Sequence, residues 1–141
     1  MSKKKEYRMY GFVPYNISPI QQGIQFGHAV VEYANKHSRK KSYIDWATND
    51  KTFIILNGGT TRDHRAFKHQ GSMQHICREL DKFGITYATF REPDLNNALT
   101  GIVFLVESEV FGFDLNWYID GVDYTDVDVE FVKWLKSKRL A

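Results

Sequence analysis

Between Ser18 and His37, polar and apolar residues recur at helical spacing. Ser18 can cap a helix, and Pro19 fits the first helical position, where its missing N–H has no intrahelical partner to lose. At 3.6 residues per turn, one stripe is polar and its neighbour is apolar. The polar stripe holds Gln21, Gln25, His28 and Glu32, and the apolar stripe holds Ile20, Ile24, Val31 and Ala34. This pattern predicts an amphipathic helix that opens the domain.

Two glycines interrupt this helix, Gly23 and Gly27. Each weakens a helix by about 1 kcal/mol relative to alanine. The usual compensation is the close approach of another backbone or a ligand, which a side chain would prevent. We therefore expect the functional site beside this helix.

The rest of the first 106 residues has the pattern of an α/β domain. Lys51–Asn57 is a short apolar run stopped by two glycines, which favours a buried central strand. A second helix carries Met73, Ile76, Leu80 and Phe83 on one face and ends at Gly84. The predicted strands are Tyr7–Val13, Lys51–Asn57, Ile85–Phe90 and Leu99–Val106, and the second helix is Ser72–Phe83. This order predicts a single α/β domain with helices flanking a mixed four-stranded sheet.

Residues 107–141 form an extension that is too apolar for a free tail. Asp126 is placed to cap a last helix. The aromatic side chains should be mostly buried, either on the same domain or at the two-fold interface of a homodimer, since exposing them all would exceed the apolar patch of an ordinary monomer. The residues concerned are Phe111, Phe113, Trp117, Phe131 and Trp134.

Composition narrows the class of protein. Of the 141 residues, 43% are hydrophobic and 26% are charged, which is typical of a soluble globular domain. No run of eighteen apolar residues predicts a membrane span. The single Cys77 excludes an intrachain disulfide and fits a cytoplasmic location. The net charge of +2 is far from that of a dedicated nucleic-acid binder, although residues 36–41 can form a local basic patch.

Three side chains are candidates for acid–base chemistry. His28 on the polar stripe could act as a general base, or could simply bond a neighbouring backbone carbonyl. Glu92 and Asp94 are spaced to flank one cleft, where paired carboxylates raise one another's pKa, although solvated loop acids are commoner.

Other candidates suit binding. Arg91 could hold a phosphate in bidentate fashion. The amides of Asn96 and Asn97 could bind phosphate, sugar or base edges, but Asn pairs mostly form turns. Cys77 lies near the apolar face of the second helix and favours packing over nucleophilic chemistry. The histidines lack metal-site spacing, so no metal is assigned.

The segment Gln-Gly-Ile-Gln-Phe-Gly-His-Ala-Val-Val-Glu, residues 22–32, resembles the opening helix of type II peptidyl-tRNA hydrolases, which carries a Gln-x-Gly/Ser-His-Ala signature. The order of elements is similar, as is the step from Arg91-Glu92 to a last strand containing a threonine. The resemblance covers Tyr7–Val106 and is closer to divergent relatives, some of them found in bacteriophages.

The sequence departs from this family at two places. Gln21 occupies the position where the family usually has a lysine. The family's Arg-Asp-Ala-Gly-x-Thr loop appears as Arg-Glu-Pro-Asp-Leu-Asn, residues 91–96, without its threonine. Thr100 corresponds to the family's second threonine.

The resemblance implies a hydrolase acting on the ester of peptidyl- or aminoacyl-tRNA, or on a related nucleotide-linked substrate, without a cofactor. The catalytic residues would be His28, Glu92 and Asp94, and the substrate-binding residues would be Gln21, Gln25, Arg91, Asn96, Asn97 and Thr100. One alternative is a binding protein that sequesters or cleaves a small nucleotide signal, in the host cytoplasm if it is phage-encoded. Another is a structural oligomer with a vestigial cleft.

Overall fold

A computed structural model describes residues 5–62, 71–119 and 127–141. Two of the histidines considered above as metal ligands, His64 and His69, lie outside the described residues. The strands are β1 (Tyr7–Val13), β2 (Phe53–Asn57), β3 (Tyr87–Glu92) and β4 (Ala98–Glu107). The helices are α1 (Pro19–His37), α2 (Lys41–Asp45), α3 (Ser72–Lys82), α4 (Ser108–Phe111) and α5 (Val129–Lys136). A π-helical turn (Trp46–Asp50) follows α2, and 3-10 turns lie at Pro93–Leu95 and Leu115–Trp117.

The four strands form one mixed sheet in the order β2-β1-β4-β3. β1 and β2 are parallel, whereas β4 runs antiparallel to both β1 and β3. The predicted α/β domain, with a four-stranded mixed sheet and flanking helices, is therefore confirmed. No helix in the described ranges is long and apolar enough to cross a membrane.

The sheet separates two apolar clusters, because successive strand residues point to opposite faces. On one face, Val103 of β4 lies in a cluster with Phe26, Ala29 and Tyr33 of α1. On the other face, the side chains of β4 pack with residues from α3 and α5. This second cluster includes Ile102, Phe104, Met73, Ile76, Leu80, Phe131, Val132 and Leu135.

β2 lies at an edge of the sheet, so the prediction of a central strand is wrong. Its Phe53 is 52% exposed. The outer edge of β2 pairs with the end of the chain: Asn57 N donates to Arg139 O at 2.8 Å, and Ala141 N donates to Ile55 O at 2.9 Å. An apolar run carries no information about which strands lie on either side of it in the sheet.

The bounds of α1 agree with the prediction, and Ser18 Oγ accepts from Gln21 N at 3.2 Å. Its orientation does not follow the predicted stripes. The buried residues are Gln25, Phe26, Ala29 and Tyr33, and the exposed ones include Ile20 (77%), Ile24 (44%) and Val31 (58%). The aromatic rings of Phe26 and Tyr33, with the small Ala29 between them, contact the sheet, so the aliphatic stripe faces outward.

The close backbone contact expected at the two helix glycines is made by a strand glycine instead. A Cβ on Gly23 or Gly27 would meet nothing within 4 Å. A Cβ on Gly101 of β4 would lie 2.7 Å from Gln25 O and 2.9 Å from the Ala29 Cβ. Gly101 therefore lets α1 approach the sheet closely at Gln25.

The C-terminal extension packs on the α3 side of the sheet. Phe131 is buried, Trp134 donates from Nε1 to Glu79 Oε2 at 2.7 Å, and Phe111 and Phe113 are half-buried. Trp117 is 79% exposed on its 3-10 turn, so it is not buried on its own domain, and its predicted burial at a homodimer interface stays a prediction. The N-terminus of α5 is capped by the Asp128 carboxylate, which accepts from Phe131 N at 3.2 Å. The predicted cap, Asp126, lies outside the described residues.

Candidate functional site

A β-bulge directs Thr100 towards α1. Phe90 pairs with Gly101 and Arg91 pairs with Leu99, which leaves Thr100 as an extra residue in β4. Bulges of this kind re-aim side chains and are frequent beside functional sites. The Thr100 side chain is fully buried, and its Oγ1 donates to Gln25 Oε1 at 2.6 Å.

Gln25 is the centre of a hydrogen-bond network that joins α1, β3 and β4. It is 2% exposed, and its Nε2 donates to Glu92 Oε2 at 3.2 Å and to Gln21 Oε1 at 3.3 Å. Four of the predicted site residues therefore form one bonded unit. Because buried amides need such partners, the network fixes the Gln25 side chain. Gln25 and Thr100 were predicted to bind substrate, but both are buried, and they hold Glu92 and Gln21 in position.

Glu92 and Gln21 carry this network to the surface. Glu92 is half-buried at the end of β3, and one of its carboxylate oxygens is bonded to Gln25. Gln21 is exposed, and the bond from Gln25 to its oxygen orients the amide. Among the described residues, the Gln21 Nε2 group has no acceptor, so its two N–H donors are available to a ligand.

His28 lies one helical turn beyond Gln25 on α1 and is exposed. Its ring stacks on Phe90 of β3, with centroids 4.5 Å apart and an interplanar angle of 20°. The alternative to a catalytic role was a hydrogen bond from His28 to a neighbouring backbone carbonyl. Within the described part of the chain, His28 makes no such bond. Phe90 covers one face of the ring, while the residue as a whole stays exposed to solvent.

The remaining predicted residues line a separate groove of about 550 Å3, which we term the amide groove. Adjacent strand residues point to opposite faces, so Arg91 and Glu92 diverge. Arg91 Nη1 donates to Asn97 O at 3.1 Å. The groove is lined by Asn16, Ile17, Thr61, Gln74, Arg91, Asp94, Leu95, Asn96, Asn97 and Ala98.

The turn between β3 and β4 explains how the predicted loop residues separate. Asn96 and Asn97 have φ values of 53° and 58°, in the left-handed region that Asn tolerates. They therefore form the turn itself, in agreement with the simpler interpretation, while their side chains line the amide groove. Asp94 lines that groove as well, whereas Glu92 bonds Gln25 on the α1 side. The two carboxylates thus belong to different surfaces.

A cluster that sequence reasoning missed adjoins the amide groove. Cys77, Asp81, Tyr87 and Arg91 line a cavity of about 330 Å3. Burial, followed by the neighbouring Asp81 carboxylate, raises the pKa of Cys77 to about 11. Burial and a hydrogen bond with Asp81 raise the pKa of Tyr87. Cys77 is therefore a neutral thiol at neutral pH and suits packing better than nucleophilic attack.

Within residues 5–62, 71–119 and 127–141, no three His, Cys, Asp or Glu side chains are grouped to hold a metal ion. In comparisons with known proteins, no family model matches this sequence and no curated protein matches it.

Proposed function

We propose that this chain is a peptidyl-tRNA hydrolase-like esterase. Its substrate would be the ester of a peptidyl- or aminoacyl-tRNA, or a related ester between an acyl group and a nucleotide ribose. The observation that carries the proposal is the buried Gln25, bonded to Thr100, Glu92 and Gln21 beside the exposed His28. This unit holds a carboxylate and an amide donor in place, and the candidate base His28 lies one helical turn along α1 from Gln25.

In the proposed reaction, an imidazole nitrogen of His28 accepts a proton from a water molecule whose oxygen attacks the ester carbonyl carbon. The bond between this carbon and the ribose oxygen then breaks. The leaving oxygen takes its proton from the imidazolium, which restores neutral His28. The products are a carboxylic acid and a free ribose hydroxyl.

Gln21 and Glu92 have distinct roles in this proposal. The Gln21 N–H donors can stabilise the oxyanion that develops on the carbonyl oxygen. The Glu92 oxygen that is not bonded to Gln25 can accept from a substrate hydroxyl or amine. Gln25 and Thr100 act as positioning residues, since they are buried and hold the two groups by hydrogen bonds.

Hydrolysis of an N-acetylaminoacyl-tRNA under single-turnover conditions tests the proposal. His28→Ala should lower the rate constant by about 100-fold or more, the usual contribution of a general base. The matched control is His75→Ala, which removes an exposed histidine on α3 and should leave the rate unchanged. Equal rates for the wild type and His28→Ala would refute a role for His28 as the base.

A second candidate function, nucleotide binding, is favoured by the amide groove. Its Arg91 guanidinium can pair with a phosphate, and its Asn and Gln amides can bond a base or sugar. Calorimetric titration with mono- and cyclic nucleotides tests this function directly. Arg91→Ala should abolish binding, whereas Arg39→Ala, two residues beyond the end of α1, should not. Binding that survives Arg91→Ala would exclude the groove as the nucleotide site.

A further inference from the structure

The solvent-facing side of α1 is apolar, which is unusual for a helix on a globular domain. Ile20, Ile24, Gly27 and Val31 follow one another at spacings of four, three and four residues, and we term them the outer stripe. They lie opposite the buried residues of the helix. No charged residue occurs in α1 before Glu32.

The outer stripe is open. Ile20, Ile24 and Val31 are 77%, 44% and 58% exposed, and an added Cβ on Gly27 would meet nothing within 4 Å. Contiguous apolar patches of a few hundred Å2 commonly mark interaction sites. The three exposed side chains amount to a few hundred Å2, less than the about 800 Å2 that each partner gives to a standard interface, so pairing of two stripes should give a weak dimer with a micromolar dissociation constant.

Two copies of the outer stripe fit each other when the two α1 helices run antiparallel. A two-fold axis between residues 25 and 26 places Ile20 opposite the partner's Val31. The same axis places Ile24 opposite the partner's Gly27, so that a large side chain meets an empty position in both directions. The absence of charge from Pro19 to Val31 means that no like charges meet along this pairing.

We propose that the chain forms a homodimer through an antiparallel pair of α1 helices packed along the outer stripe. Glycine at the contact lets two helices approach to about 8 Å between their axes. His28 lies at the rim of this interface, with its ring turned towards Phe90, so it stays accessible. The proposal is independent of the proposed hydrolysis, because the oligomeric state is measured without substrate.

Sedimentation velocity over about 1–100 µM protein tests the dimer. The wild type should shift from monomer to dimer over this range. Ile24→Glu should raise the dissociation constant about 30-fold or more, the effect of losing an interface hot spot. The control is Ile44→Glu, which changes an isoleucine of nearly equal exposure (45%) on α2 and should leave the dissociation constant unchanged. The proposal is overturned if the wild type stays monomeric over this range. It is also overturned if this face binds a different partner while the chain itself stays monomeric.

Gly27→Leu tests the same interface without placing a charge on the helix. Gly27 is exposed and an added Cβ meets nothing within 4 Å in the monomer, so the variant should fold with unchanged circular dichroism. In the dimer, the new side chain collides with the partner's Ile24, and the dissociation constant should rise about tenfold or more. A dimer that is as strong in Gly27→Leu as in the wild type contradicts the packing.

Cross-linking tests the register. In a Cys77→Ala background, Ile20→Cys and Val31→Cys proteins are mixed and treated with a short bismaleimide. The proposed pairing predicts rapid coupling of the two different chains and little coupling of either variant with itself. Equal coupling of all combinations would show that the helices do not pair in this register.

Discussion

The bond between Thr100 and Gln25 is the residue-scale feature on which the site depends. Thr100→Val keeps the shape of the side chain and leaves the buried Gln25 Oε1 without its donor. This should cost about 1–3 kcal/mol of the free energy of unfolding. Hydrolysis should fall by about 10- to 100-fold, because Glu92 and Gln21 lose their fixed support.

Chemical unfolding and single-turnover assays measure both effects. Thr89→Val on β3 is the control, since it replaces a half-buried threonine outside the Gln25 network. If both valine variants lose stability and activity equally, Thr100 has no special role in holding the site.

Cys77 gives a second prediction at this scale. Its pKa rises from 9.0 to about 11 on folding, which lowers the thiolate fraction at pH 8 by about 100-fold. Iodoacetamide at pH 8 should therefore alkylate the native protein at least about tenfold more slowly than the urea-unfolded chain, because the thiolate is the nucleophile. Equal rates would show that the thiol is neither buried nor neutral.

The raised pKa of Cys77 also makes stability depend on pH. Below about pH 9 the thiol keeps its proton, and its contribution to the free energy of unfolding is fully present. As the pH rises through about 11, the unfolded chain loses this proton more readily than the folded protein does, so the contribution is lost. Between pH 8 and pH 11, wild-type stability should thus fall more steeply than that of Cys77→Ala. Parallel pH profiles of the unfolding midpoint would contradict this assignment.

At the scale of elements, the sequence predicts where α1 begins and ends better than it predicts which side faces the sheet. The Ser18-Pro19 start is a local signal that depends only on the backbone around it. The buried side is set by partners distant in sequence, such as Gly101 of β4, against which Gln25 and Ala29 pack. Of the polar stripe, Gln21 and His28 are exposed, but Gln25 is buried beneath the surface.

The glycines of α1 and β4 should respond in opposite ways to alanine. Gly23→Ala should stabilise the fold by about 1 kcal/mol. The added Cβ meets nothing within 4 Å in the folded protein, and alanine gives the unfolded chain less conformational freedom than glycine. Gly101→Ala should destabilise it by about 1–3 kcal/mol, since its Cβ would overlap the backbone of Gln25. Urea unfolding midpoints decide the matter, and a loss of stability in Gly23→Ala would contradict the open helix face.

For the whole molecule, the order of strands and helices was predictable because hydrophobic periodicity and turn residues report local structure. The order of strands within the sheet was not, since it depends on long-range pairing. The apolar β2 illustrates this, because its outer edge is covered by residues 139–141. The bulge at Thr100 likewise has no signal in one sequence, so the role of Thr100 as a support for Gln25 could not be foreseen.

The C-terminal extension should be required for folding. Deleting residues 108–141 removes Phe131, Val132 and Leu135 from the cluster on the α3 side and should give an aggregating protein. Removing only residues 138–141 takes away the pairing with β2 and keeps this cluster, so that chain should fold with lower stability. Light scattering and circular dichroism distinguish the two, and a soluble, folded product of the longer deletion would show that the extension is dispensable.

The central claim is that the surface held by Gln25 hydrolyses an acyl-tRNA ester with a neutral amide at the oxyanion. The most direct measurement compares single-turnover hydrolysis of N-acetylaminoacyl-tRNA by the wild type and by Gln21→Lys. We expect slow hydrolysis by the wild type and a rate constant about 10- to 100-fold higher in Gln21→Lys, because a fixed positive charge stabilises the oxyanion more strongly. Absence of hydrolysis by both proteins, or rapid hydrolysis that Gln21→Lys leaves unchanged, would contradict the claim.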